Sequence, residues 1–489
     1  MYRKPNFVLR ILFIFCFIVM PGNQVLNAQS KASQIEDLMS LYSEYGQFNG
    51  SVLVAEDGEV LYKHGFGKAN MEWDIPNTAN TKHRLGSITK QFTAMLILQL
   101  VEEGKLKLDA PITTYLPDYP KAKGDKISLH HLLTHSSGIP NYTSFPKFFE
   151  ETSRDAFTPT EFISQFKDLE LEFTPGEKFA YSNSGYFLLG VIIEKVTGKS
   201  YEENLQEKIF QPLNMKDTGF DHHNVILKNR ASGYEKRGNS YSNAAYLDMS
   251  IPYSAGSLYS TVEDMYLWDR ALQNNTLLSK ENTDLLFAPH IKSGSGTYGY
   301  GWGTNKMVNA ASKDSLVVIG HGGGINGFNT LINRIPANQE LIVLLNNTGG
   351  TNLGEMSRNI IKILNDLPYE LPQRSLANYL MDEITKNGLE AGIAAFKKQK
   401  DSKEYILKEN DMNALGYQFL QSGKLNEAIA VFKLNVAEFP ESSNVYDSLG
   451  EAYMEAGNKE LAILNYKRSV EMDPKNENGK EMLKKLQGE

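Results

Sequence analysis

The sequence predicts an α/β domain, an antiparallel sheet flanked by helices with an added helical region, followed by an all-α repeat domain. Three observations carry this prediction. From about residue 34 to 365, short apolar runs with strand spacing alternate with stretches of helical periodicity. Within that region the runs Phe328 to Ile335 and Leu341 to Leu345 are joined by a short turn at Pro336-Ala337-Asn338. So short a link suits antiparallel neighbours, because parallel strands need a long crossover. Further on, Leu415-Gly416, Phe419, Gly423, Ala428, Phe432 and Pro440 recur as Leu449-Gly450, Tyr453, Gly457, Ala462, Tyr466 and Pro474, at a constant offset of 34 residues.

Taken in order, the chain opens with Arg3, Lys4 and Arg10 ahead of the apolar run Ile11 to Met20, then Pro21-Gly22 and a small-residue exit at Leu26-Asn27-Ala28. This pattern reads as a signal peptide over residues 1–28, cleaved after Ala28. The run is shorter than the roughly 20 apolar residues a membrane span needs, so the mature chain is expected to carry no anchor and to be periplasmic or extracellular. The single cysteine, Cys16, lies inside that run, and bulky Phe13, Ile14 and Phe15 before it argue against lipid modification. Cleavage leaves no thiol for disulfides, zinc ligation or nucleophilic attack.

Ser51 to Ala55 and Val60 to His64 flank Asp57-Gly58 as a hairpin at the edge of a sheet. After Ser87, residues Phe92, Met95, Leu96, Ile97, Leu100 and Val101 fall at helical spacing up to Gly104, which predicts a buried amphipathic helix with Ser87 in its first turn. Helices and long polar loops between about residues 110 and 305 are expected to wall a cleft. A strand at Leu316 to Ile319 precedes the late hairpin, and a helix from Leu353 to Leu364 closes the domain, assigned to residues 34–365.

The 34-residue period, with small residues where two helices would cross and a proline after the second, matches the tetratricopeptide repeat. The best units are 411–440 and 445–474, within a repeat domain of residues 375–489. A degenerate unit from Leu376 to Lys400 would turn Ile393 and Phe396 inward, Asn476 to Leu486 would cap the end, and Pro368 to Arg374 would form the junction. Such repeats either hold a protein or peptide partner or pack on the preceding domain.

A net charge of −8, with 41% hydrophobic and 22% charged residues, describes an ordinary folded protein and supplies no basic footprint for nucleic acid or anionic lipid. The chemistry lies in three short motifs: Ser87-Ile88-Thr89-Lys90, Tyr181-Ser182-Asn183 and His321-Gly322-Gly323. Residues three apart on a helix are neighbours, so an amine at Lys90 can reach the proton of an attacking Ser87 hydroxyl.

Each motif has decoys. Ser144-Phe145-Pro146-Lys147 carries a proline at its third position, and Ser164-Gln165-Phe166-Lys167 lies in an ordinary amphipathic stretch without a preceding glycine. Tyr241-Ser242-Asn243 sits in a Gly, Asn and Ser-rich stretch read as loop, whereas Tyr181 stands between the Thr174-Pro175-Gly176 turn and a helical run from Gly185 to Val196. Gly322, Gly324 and Gly327 satisfy a dinucleotide fingerprint, yet the strand-like Phe328 to Ile335 follows where a helix is required. His131 and His135 stand four apart without the glutamate of a zinc protease, and read as structural histidines that cap or hydrogen-bond a loop. No metal and no cofactor are expected.

With these motifs placed, residues 34 to 365 resemble the serine β-lactamase and penicillin-binding-protein superfamily, in its class C branch with DD-carboxypeptidases, D-aminopeptidases and esterases. The likeness extends over His131 to Gly138, Thr174-Pro175-Gly176 running into Tyr181 to Tyr186, and Gly256 to Thr261. The resemblance implies a β-lactamase/transpeptidase-like fold, with Ser87 as acylated nucleophile, Lys90 as its proton partner and Tyr181 as acid/base group. It gives Asn183 to the substrate amide and His321 and Gly323 to the substrate-binding third motif. The backbone N–H groups of Ser87 and Gly324 would be the oxyanion donors. Which of Lys90 and Tyr181 takes the proton stays open. Lysine usually stands where this chain has His321 in the drug-resistance enzymes. An imidazole with an ordinary pKa near 6.5 is mostly neutral at pH 7, which moves weight toward peptidase, esterase or amidase.

The expected function is a secreted serine hydrolase that cleaves amide or ester bonds of a small peptide, ester or β-lactam-like substrate through an acyl-serine intermediate. The competing reading is a catalytically idle scaffold whose repeats bind a partner protein.

Overall fold

The computed structural model describes residues 30–308 and 315–488, together with Met1. The signal-peptide reading and Cys16 lie outside the described residues.

Helix α1 (Lys31–Glu44) leads into β1 (Gly50–Glu56) and β2 (Glu59–Phe66), the hairpin expected across Asp57-Gly58. Helices α2 (Thr89–Glu102), α3 (Asn183–Thr197) and α4 (Val262–Gln273) follow, separated by loops, short helices and short strands. The chain then returns to the sheet through β3 (Ile291–Ser293), β4 (Gly296–Tyr298), β5 (Gly303–Val308), β6 (Ser315–Ile325), β7 (Phe328–Ile335) and β8 (Glu340–Asn346), and closes with α5 (Leu353–Leu364). The strands form one antiparallel sheet in the order β3-β4-β5-β6-β7-β8-β1-β2, with Val52 opposite Leu344 and His321 opposite Ile332.

Burial on both sheet faces explains the uninterrupted apolar run of β8. Leu341, Val343 and Leu345 join Leu53 and Ala55 in the core under α2, α3 and α4, while Ile342 and Leu344 join Val52 and Val54 under α1 and α5. A strand covered on both sides has no polar face to alternate with. Helix α2 is likewise buried on nearly every side from Thr89 to Leu98, so it is a central helix rather than an amphipathic one. One buried ion pair ties the layers: Arg334 on β7 meets Asp269 on α4 at 2.5 Å, with its guanidinium over the rings of Phe287 and Trp302.

Two further expectations need correction. Ser87 lies in a 3₁₀ turn, Gly86–Ile88, immediately before α2 rather than inside its first turn, because Gly86 takes φ +55 to swing the chain out of the short strand His83–Arg84. Tyr241-Ser242-Asn243 is not loop but part of a strand, Ser240–Asn243, paired with Tyr234–Arg237.

The C-terminal region is helical. It runs through α6 (Leu376–Asn387), α7 (Leu389–Gln399), α8 (Glu409–Gln421), α9 (Leu425–Glu438), α10 (Ser443–Glu455), α11 (Lys459–Met472) and α12 (Glu477–Gln487) around a core of its own. Phe396 is fully buried there, while Ile393 is only half-buried. Gly450 sits where α10 crosses α11, so close that a Cβ would stand 3.1 Å from the Tyr466 ring. The junction is fastened rather than loose: Arg374-Ser375 pairs with Tyr405-Ile406, and Arg374 reaches Glu44 on α1 at 2.6 Å.

The hairpin of residues 234–243 reaches between the two parts. At its root the Glu235 carboxylate accepts the Gly327 N–H at 2.9 Å, in the turn joining β6 to β7. At its tip Asn239 donates to Asp382 on α6 at 3.0 Å, and Gly238 faces Gln418 on α8.

Candidate active site

Ser87, Lys90, Tyr181, Asn183 and His321 come together beside β6. The turn carrying Ser87 is pressed on that strand: a Cβ at Gly86 would sit 3.0 Å from the Gly324 nitrogen, and one at Gly323 would overlap the Leu85 carbonyl oxygen. Thr330 on β7 donates to that same carbonyl at 2.7 Å. Glycines are required here because two backbones share the space one side chain would need.

Lys90 projects from the first turn of α2 and is fully buried. Its Nζ donates to Asn183 Oδ1 at 2.8 Å and to the Ala255 carbonyl at 2.8 Å, lies within hydrogen-bond distance of Ser87 Oγ at 3.1 Å, and stands 4.9 Å from the centroid of the Tyr181 ring. Burial pushes its pKa well below the ordinary lysine value, since a low-dielectric interior penalises the ammonium form. Ser87 itself is half-buried, open enough to be reached.

Ser182 caps α3, its hydroxyl accepting the Gly185 N–H, which fixes Asn183 as the first helical residue and Tyr181 just ahead of the helix. Asn141 holds Asn183 in place, its Oδ1 accepting both the backbone N–H, at 3.0 Å, and the side-chain amide, at 3.3 Å. The Tyr181 phenol oxygen is buried and makes no hydrogen bond within the described residues. Burial raises its pKa above the ordinary tyrosine value.

His321 is locked as a neutral ring. Its Nδ1–H donates to the Gly322 carbonyl at 2.6 Å, and its Nε2 accepts from the Tyr298 hydroxyl at 2.9 Å. Burial, reinforced by Lys90, lowers its pKa to about 4.

The decoys stay apart from this cluster. Lys147 pairs with Glu151, and the Ser164 hydroxyl donates to the Glu161 carbonyl. His131 forms a capping box with Ser128 at the start of the short helix Leu129–Leu133. Among the described residues no group of three His, Cys, Asp or Glu side chains could hold a metal. Asn141 and Tyr298 belong to the site without having been singled out, and His135, read from the sequence as a structural histidine that hydrogen-bonds a loop, does so beside Tyr181. Only the stretch around His135 had a signal in the sequence, as part of the family-like segment ending at Gly138.

The model of the family described as Beta-lactamase matches residues 33–364, more than half of the chain. The chain belongs to that family. It falls in the serine hydrolase superfamily, whose members act on amide or ester bonds. Among its relatives, "Penicillin-binding protein 4*" of Bacillus subtilis (strain 168) is 31% identical over 371 residues, covering 71% of this chain and 79% of that one. "Teichoic acid D-alanine hydrolase" of Staphylococcus aureus is 32% identical over 271 residues, covering 55% of this chain and 65% of that one. The crystal structure of D-amino acid amidase from Ochrobactrum anthropi SV3, complexed with L-phenylalanine amide, superimposes with a TM-score of 0.57 at 26% identity, covering 68% of this chain and 99% of that one. The α/β fold with its antiparallel sheet stands as the sequence predicted.

Proposed function

We propose that this Beta-lactamase family member is an exported hydrolase that cleaves amide or ester bonds through an acyl-Ser87 intermediate, with D-amino-acyl compounds as the favoured substrate class. The observation that carries this reading is the fully buried Lys90 amine within hydrogen-bond distance of Ser87 Oγ.

The two shifted pKa values divide the proton work. Lys90, its pKa pushed well below the ordinary lysine value by burial, is the group that takes the Ser87 proton as Oγ attacks the carbonyl carbon. Tyr181, pushed up, keeps its proton in the resting site and is suited to hand it to the leaving nitrogen or oxygen when the tetrahedral intermediate collapses. The developing oxyanion would be held by the backbone N–H groups of Ser87 and Gly324, a donor pair of which each member is typically worth about 3 kcal/mol in the transition state. Asn183 and the β6 edge at Gly323 would align the substrate, and water, passing a proton to the Tyr181 phenolate as it attacks, would then release the acyl group while Lys90 returns its proton to Ser87 Oγ.

His321 bears on substrate choice. A neutral imidazole with both nitrogens already hydrogen-bonded offers no charge for the carboxylate of a β-lactam. This favours amide and ester substrates such as those named for the amidase and D-alanine hydrolase relatives.

A fluorescent penicillin or active-site phosphonate, applied to wild type and Ser87→Ala, tests the intermediate. Labelling lost only in Ser87→Ala supports it, and no labelling of either by the phosphonate returns the idle-scaffold reading. A panel of D-amino-acid anilides, a D-Ala-D-Ala peptide, nitrophenyl esters and a chromogenic cephalosporin then ranks the substrates, with the cephalosporin expected to be poorest.

A further inference from the structure

His135 has no part in the acyl transfer outlined above, yet it meets the Tyr181 segment at three points. It follows the short helix Leu129–Leu133 at φ +55, a left-handed conformation uncommon for a residue with a Cβ, and it is 1% exposed. Its carbonyl oxygen accepts the Ala180 N–H at 2.8 Å, and its Nδ1 accepts the Ser182 N–H at 3.1 Å. Its ring lies against the Tyr181 ring, with centroids 4.2 Å apart and planes inclined by 33°. One residue therefore pins both neighbours of Tyr181 while its imidazole supports the phenol itself.

Because Nδ1 is an acceptor, the ring proton sits on Nε2, which is buried without a hydrogen-bond partner among the described residues. Burial above all, with Lys90 and His321 nearby, keeps the ring neutral, so Nδ1 remains an acceptor. An unpartnered buried donor and a left-handed backbone both cost stability. The arrangement they accompany is the placement of Tyr181.

We propose that His135 is a positioning residue for Tyr181, fixing residues 180–182 through its Nδ1 and carbonyl contacts so that the phenol stays over Lys90. The inference rests on the acyl-Ser87 reading.

Three variants separate acceptor from ring. His135→Asn keeps an acceptor oxygen near the Nδ1 position and tolerates the left-handed backbone, His135→Phe keeps a ring without the acceptor, and His135→Ala has neither. In the Ala and Phe variants kcat on the best substrate of the panel is expected to fall about 100-fold, the scale of a small misplacement of a catalytic group, while KM stays nearly constant. His135→Asn is expected to recover most of that loss. Deuterium exchange of the peptide containing the Ser182 amide should be slow in wild type and in the Asn variant, and fast in the other two.

Wild-type kcat in the Ala variant, or an Asn variant as impaired and as unprotected as Ala, overturns the proposal. If the wild-type chain neither turns over nor labels at Ser87, the acyl-enzyme reading has failed, and exchange alone then decides on His135. Unchanged exchange in the Ala variant overturns its role in fixing residues 180–182, and exchange that quickens in Ala and Phe but not in Asn upholds it.

Discussion

A lysine ammonium gives up strong hydration when buried, so the fully enclosed Lys90 is poised to lose its proton. The expected pH dependence follows from that direction. A base works only when deprotonated, so kcat/KM should fall as pH drops through the depressed pKa of Lys90, and a pH–rate profile on a neutral ester checks it. The limb belongs well below the titration of an ordinary lysine, and an acid limb near the ordinary value would contradict the assignment. Lys90→Arg replaces the amine with a group that stays charged, so activity should drop by about 10²–10⁴-fold in steady-state assays. Ser87, Lys90 and Tyr181 were legible in the sequence because short spacing or flanking turn signals place them. Asn141 reaches Asn183 from a loop 42 positions away, and no local pattern announces such a meeting. The engagement of both His321 nitrogens was equally hidden, since Tyr298 joins it from a neighbouring part of the sheet.

Among the elements, the contact between β6 and the turn before α2 admits the least change. Gly86→Ala would force a methyl group into the left-handed region and against Gly324, and Gly323→Ala would drive one into Leu85. Both should lower activity by more than their loss of stability explains, which paired assays of turnover and thermal midpoint would measure. The Arg334–Asp269 pair makes a different prediction. Asp269→Asn leaves a guanidinium 2% exposed without its counter-charge, and urea unfolding should show a loss of about 3–5 kcal/mol. The strands β7 and β8 and helix α5 were readable nearly to the residue, because their burial pattern and turn residues agree. The full length of β6 was not, since His321 to Gly324 carry too little apolar side chain to look like a strand and are held in the ladder by pairing with β7.

For the molecule as a whole, period and small residues pointed to a helical C-terminal region, and that region is helical, α8 to α11 among its helices. Gly450→Leu should overpack the crossing of α10 and α11, costing about 1–3 kcal/mol. Deuterium exchange should then quicken over 443–472 while ester turnover holds. What periodicity could not reveal is how the helices meet the catalytic part, because a hairpin that touches α6 and α8 leaves no repeat in the sequence. That ribbon sets a condition on any newcomer. A guest that seeks the face made by α6 and α8 finds Gly238 and Asn239 already seated there, and it must evict a tenant whose other end is anchored next to the glycine strand of the reaction centre.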